Sequence, residues 1–202
     1  MSRKLQHRRY EEIKSLGADM IEDYELVYPL EPHEVAAMWG VHVVIHLKWI
    51  PLMAQICRTV DGCTEQVDSR HGQKFQIHTN GAMHPLRQRF TLAHELAHIW
   101  LEHLRSDAPI PGDQAEGEAN FLASYLLAPD ALVLAWVPNL TVSGIAQVFR
   151  MSDEAAQLAH SRVMRAQNNN AIGRTYDLRI LASATRRTVA SDSVVGAWKE
   201  LA

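Results

Sequence analysis

The sequence predicts an α+β fold: a small sheet packed on one buried helix, a second long helix beside it, and a helical C-terminal segment. Three observations predict this. The stretch FTLAHELAHIWLEH repeats apolar residues at spacings of three and four, through Phe90, Ala93, Ala97, Trp100 and Leu104, and again through Leu92, Leu96 and Ile99. Such wide apolar cover implies a helix that is largely buried. Before it lie β-branched and alternating segments, Val41 to Ile45 and Lys74 to His78. After it comes a second apolar helical run, FLASYLLAP, led by Gln114 to Asn120.

The elements follow in order. Residues 3–26 read as a helix, with Leu5, Tyr10, Ile13, Leu16, Met20 and Ile21 at loosely helical spacing. Two prolines between Tyr28 and Pro32 break it, and Pro32 suits the first turn of a short second helix ended by Gly40. Val41 to Ile45 is the first strand. Residues 59–79 hold two more, around turns at Asp61-Gly62 and His71-Gly72. In the last strand Phe75 and Ile77 share one face, and Lys74, Gln76 and His78 the other. Asn80-Gly81 is a turn, and Pro85 precedes the motif helix. Pro109, Pro111 and Gly112 mark the loop between the two long helices, which reads as a gate for substrate.

Beyond Thr141 the character changes. Val142, Ile145, Ala146 and Phe149 suggest one short helix, and Ser152 caps another with Asp153 and Glu154 in its first turn. Two short helices and a tight turn give a helix-turn-helix-like segment. The acidic pair would repel phosphate, although Arg162 and Arg165 follow, so direct nucleic-acid binding is not expected. Residues 167–170 read as a polar linker, and the Ser/Thr-bearing tail as weakly ordered, with a terminal helix near Val194 to Leu201. The organisation expected is therefore a core over residues 1–138, a helical subdomain packed on it over 139–166, and linker plus tail over 167–202.

The whole chain sets outer bounds. At 202 residues with 47% hydrophobic residues it can bury one good core. Its net charge of −3 does not advertise nucleic acid. From Thr141 onward eight basic residues face five acidic ones, a mild reversal. No apolar run approaches the ~18 residues of a membrane span, and the basic N-terminus lacks the apolar centre of a secretory signal. A cytoplasmic protein is expected. Cys57 and Cys63 could approach across the Asp61-Gly62 turn, but reduced thiols are the expectation.

The chemistry sits in His94-Glu95-Leu96-Ala97-His98. Histidines four apart on a helix project from one face, about 6 Å apart along the axis, so both imidazoles can reach one metal ion. Glu95 lies close enough to take a proton from an attacking water. With 11 histidines in the chain the motif alone can arise by chance; a buried helix and a third ligand make it informative. Leu101 and Leu104 stand where a metzincin needs glycine and histidine, and Glu102 lies too far along the helix. Glu116 is the better third ligand. Asn120, four residues on, shares its face and could fix a ligating histidine. Glu118 points roughly the other way and reads as solvated. His103, five beyond His98, falls on another face and reads as structural. His84 and Tyr125 could each donate to an oxyanion, but a solvated loop residue and a buried packing residue are the plainer readings; neither is assigned a role.

Arg87 to His98 (R-x-R-F-T-L-A-H-E-L-A-H) followed by Glu116 to Pro129 (E-x-E-A-N-F-x-A-x-x-L-L-x-P) resembles the ImmA/IrrE family of metallopeptidases, more loosely over about residues 15–165. Ala128 stands where the family more often has methionine. The resemblance implies a zincin-like core, with metal ligands His94, His98 and Glu116 and general base Glu95. It implies Zn2+, although Mn2+ and Fe2+ accept the same ligands. It also implies a protein substrate, a DNA-binding helix-turn-helix repressor, cleaved in a stress-response or mobile-element switch. The rival expectation is a regulatory protein that displaces a repressor from DNA without hydrolysis. The oligomeric state is not legible.

Overall fold

Arg3–Asp23 form the first helix, α1, which buries Ile13, Ala18, Met20 and Ile21. Helix α2 spans Pro32–Met38 with its proline in the first turn. Gly40 follows at φ 65, the left-handed conformation that glycine adopts without steric cost. The sheet comprises β1 (His42–His46), β2 (Gly62–Gln66) and β3 (Phe75–Asn80) in the order β1-β3-β2. β1 runs parallel to β3, and β2 antiparallel to it. The motif helix α3 is Pro85–Trp100, and the second long helix α4 is Gly112–Leu127. A computed structural model is the basis of this description; it covers residues 3–47, 61–67, 75–105 and 111–184, with side chains from His7 onward. The expected His71-Gly72 turn, the Pro109 side of the gate loop, Cys57 and everything after residue 184 lie outside the described residues.

The sheet lies on α3 through β2 and β3. Ile77 and Thr79 of β3 are buried on the α3-facing side, whereas Gln76 and His78 are less so. β2 approaches α3 closely at Gly62. A Cβ there would fall 2.7 Å from both the Thr91 side chain and the His78 carbonyl, so only glycine fits. Cys63, next on β2, is disulfide-bonded, which corrects the expectation of reduced thiols.

Further helices follow: α5 (Asp130–Trp136), a 3-10 turn (Pro138–Leu140), the short α6 (Val142–Phe149) and α7 (Asp153–Asn168), as long as α3 and α4. Thr141 and Ser152 cap α6 and α7 through their hydroxyls, as the Ser152 expectation required. Ile145, Phe149, Ala156, Ala159 and Val163 complete the core. By length and hydropathy Gly112–Trp136 could cross a membrane, but Pro129 separates α4 from α5 there and most of the stretch is buried inside the fold. Residues 175–184, expected as linker and loose tail, form an ordered helix. The reason is burial and pairing: Ile180 is fully covered, Tyr176 donates to Glu11 at 2.6 Å, and Arg179 bonds Asp19 and Glu22 of α1 at 2.8 Å each.

Two arginines fasten these helices to the core. Arg89 of α3 donates to the backbone carbonyls of Leu30, Phe149 and Arg150. Arg162 of α7 donates to Asp130 Oδ1, Ser124 Oγ and the Ala128 carbonyl, all at 2.6 Å. Lys14 Nζ stands 2.9 Å from the other Asp130 oxygen. Burial pushes the Asp130 carboxyl up, but the charges of Arg162 and Lys14 outweigh it and hold the group below the usual aspartate range. A depressed carboxyl contributes stability above its unfolded value of about 3.9 and loses it as pH falls through the folded value. Asp130→Asn is therefore expected to cost about 3–5 kcal/mol at neutral pH, since it strands two buried cations. Urea unfolding at pH 7 and pH 3 should show that loss at pH 7 and a narrower gap between variant and wild type at pH 3.

Candidate metal centre

Helix α3 starts where its sequence says it should. His84 caps it, Nδ1 accepting from the Leu86 amide at 3.2 Å, and Pro85 takes the first position. His84 is exposed, as a loop histidine is expected to be, and also serves as the cap. Ten residues on, His94 and His98 lie one turn apart, with Nε2 atoms 3.0 Å from one another. The facing helix α4 brings in Glu116, whose carboxylate oxygens stand 3.2 Å from His94 Nε2 and 3.4 Å from His98 Nε2. The three donor atoms all fall within 4.8 Å of one another. Both imidazoles are largely buried, while Glu116 is 57% exposed and forms the open lip.

The electrostatics suit a cation. Burial drives His98 down to about 3, helped by the neighbouring His94 and His103. Burial also lowers His94, against the opposing pull of Glu116. Both rings are therefore neutral and present lone pairs to one space, and the charge of Glu116 is left without a cationic answer from them. Two neutral imidazoles and a carboxylate on facing helices are a three-ligand set for a divalent metal. The residues fit such an ion; a bound metal would be held by these three and leave a coordination position free.

Glu95 lines the same cleft, with Asp61, Gly62, Arg87, Phe90, Thr91 and Asn120. It is 7% exposed, and burial pushes its carboxyl up to about 7. Thr64 of β2 works the other way: its hydroxyl donates to Glu95 Oε2 at 2.7 Å and favours the charged form. That partner comes from a strand 31 residues earlier in the chain, and no local sequence signal marks it. Asn120 lies beside His94 and favours its protonated ring, yet among the described residues the buried His94 Nδ1 has no hydrogen-bond partner. Asn120 thus contacts the ring but does not engage Nδ1, the nitrogen through which a ligating histidine is usually oriented.

His103 and Glu118 both differ from their sequence reading. Helix α3 ends at Trp100, and Glu102 takes a left-handed φ of 57. The Glu102 amide donates to the Ile99 carbonyl at 3.1 Å and the His103 amide to the His98 carbonyl at 3.0 Å. This pair of bonds is a Schellman motif, which folds the chain back on its last turn. It carries His103 Nδ1 to 3.0 Å from His98 Nδ1. Helical spacing could not place it, because the helix has already stopped. Glu118, read as solvated, is 3% exposed. It accepts from Arg9 at 3.0 and 2.7 Å and from Gln114 at 2.8 Å. Tyr125 is fully buried among helices, away from the cleft.

No curated protein matches the chain. Residues 63–161 match the family model described as the IrrE N-terminal-like domain, Peptidase_M78. That span runs from β2 into α7 and contains His94, Glu95, His98 and Glu116. The chain accordingly belongs, through its IrrE N-terminal-like domain, to the ImmA/IrrE family of peptidases.

Proposed function

We propose that this protein is a zinc-dependent endopeptidase of zincin-like architecture. The observation that carries the reading is the convergence of His94, His98 and Glu116 beside a buried Glu95 that Thr64 holds in place. Zinc at these ligands would acidify water toward ~7 and polarise a peptide carbonyl. Glu95 takes the proton from the attacking water and passes it to the leaving amine. Its burial keeps its carboxyl near neutrality, where both transfers are accessible. The helix-turn-helix repressor as substrate, the switch in which it is cleaved and a cytoplasmic setting follow from the family resemblance and belong to the same proposal. A displacement mechanism without hydrolysis uses the same cleft, and the experiments below separate the two.

Incubation with a candidate repressor should give fragments that disappear with a chelator. Intact repressor that loses DNA binding whether or not chelator is present would establish displacement instead. Glu95→Gln should retain stoichiometric zinc and lose turnover by about 10²–10⁴-fold, measured by metal analysis and fragment yield. Thr64→Val removes a charge-assisted hydrogen bond, worth about 1.5–3 kcal/mol, from the base. Its kcat should fall by about 10–100-fold with KM little changed, and Thr64→Ser should restore it.

A further inference from the structure

We infer that His103 is a positioning residue for the metal centre, orienting His98 through the nitrogen that the metal does not use. The inference rests on the metal-centre reading above. A metal at His98 Nε2 requires the lone pair there, so the His98 proton must sit on Nδ1. Among the described residues one partner meets that nitrogen: His103 Nδ1 at 3.0 Å. His103 must then accept at Nδ1, which places its own proton on Nε2. That atom faces Glu118 Oε2 at 3.5 Å. Glu118 in turn is fixed by Arg9 of α1 and Gln114 of α4. The tautomer of each ring follows from the one before it, in a relay metal–His98–His103–Glu118–Arg9. Metal-ligating histidines commonly give their second N–H to a carboxylate or carbonyl; here a second histidine is interposed.

The Schellman turn is what makes this possible. Such motifs commonly bring the residue two past the cap against the residue at the start of the last turn, as an apolar contact. Here those two positions are His103 and His98, and the contact is a hydrogen bond. The relay has one tight joint and one loose one. His98–His103 is of ordinary hydrogen-bond length, whereas His103 Nε2 stands 3.5 Å from Glu118 and makes no hydrogen bond among the described residues. His103 should therefore matter more than Glu118.

Zinc affinity, read by competition with a chromophoric chelator at pH 7, tests this without reference to catalysis. His103→Phe keeps a ring but removes the acceptor, and is expected to weaken zinc binding by about 10–100-fold. His103→Asn offers a carbonyl oxygen near the Nδ1 position and should recover most of that loss. Thermal unfolding in chelator reports the metal-free fold, and should change little between the two variants. The d–d absorption of the cobalt-loaded protein should shift in the Phe variant and return in the Asn variant. Wild-type affinity and an unshifted cobalt spectrum in a folded Phe variant would overturn the inference while leaving the peptidase proposal standing. If the Phe variant does not fold, His103→Leu is read in the same way. Wild-type protein that binds no zinc would overturn both.

Discussion

Everything at the site depends on how closely α3 and α4 approach. Each helix supplies what the other lacks: α3 brings two neutral imidazoles, and α4 the carboxylate that completes a cation site. The helices run in opposite directions. Glu118, early in α4, meets His103 just past the end of α3, while Leu127, late in α4, lines the same cavity as Phe90 near the start of α3. Buried alanines on both helices, Ala93 and Ala97 on one and Ala115, Ala119 and Ala123 on the other, make a narrow separation sterically open. Larger side chains at those positions would hold Glu116 beyond reach of the histidines.

The same packing explains what the sequence did and did not reveal. His94, Glu95 and His98 are legible because helical periodicity places them with no information beyond their own segment. Glu116 is legible because its helix has a clear apolar face, and the choice between it and Glu118 reduces to which side of that face each occupies. The structure brings Glu116 to the histidines and turns Glu118 into the core rather than to solvent. Thr64 and Arg9 come from other parts of the chain, and only tertiary packing brings them in. His103 is close in sequence yet was misplaced, since spacing rules assume a helix that continues. A left-handed residue at Glu102 is what a reader of sequence expects from glycine, and no glycine is there to announce it. The helix over 175–184 was hidden for a related reason: its stability comes from pairing with α1, which composition cannot show.

The buried ion cluster at Asp130 does for the rest of the fold what the candidate metal ligands do for the cleft. Arg162 reaches three acceptors at the junction of α4 and α5, and so ties α7 to the end of the ligand-bearing helix. Arg89 ties α3 to the turn between α6 and α7. The scaffold of the site is thereby braced from both of its helices by the same C-terminal segment.

That bracing bears on the other reading of α6 and α7, a module that grips DNA. A phosphate-binding surface needs cations that are free to face solvent. Arg162 is held against Asp130, while the exposed Arg150 pairs with Glu31 and the exposed Arg165 turns back to the Ser161 carbonyl. The exposed start of α7 carries Asp153 and Glu154. What the segment does present is a wall. Met151, Ala155 and Leu158 line a cavity of about 450 Å³ together with Phe90, Leu127 and the arginines Arg87, Arg89 and Arg150, and it shares Arg87, Phe90 and Asn120 with the candidate metal cleft. A polypeptide held across the cleft would meet these apolar side chains beside the candidate metal ligands. The acidic start of the helix and the internal pairing of Arg162 weigh against a phosphate-binding face, and the apolar residues of the cavity support the proposed protein substrate.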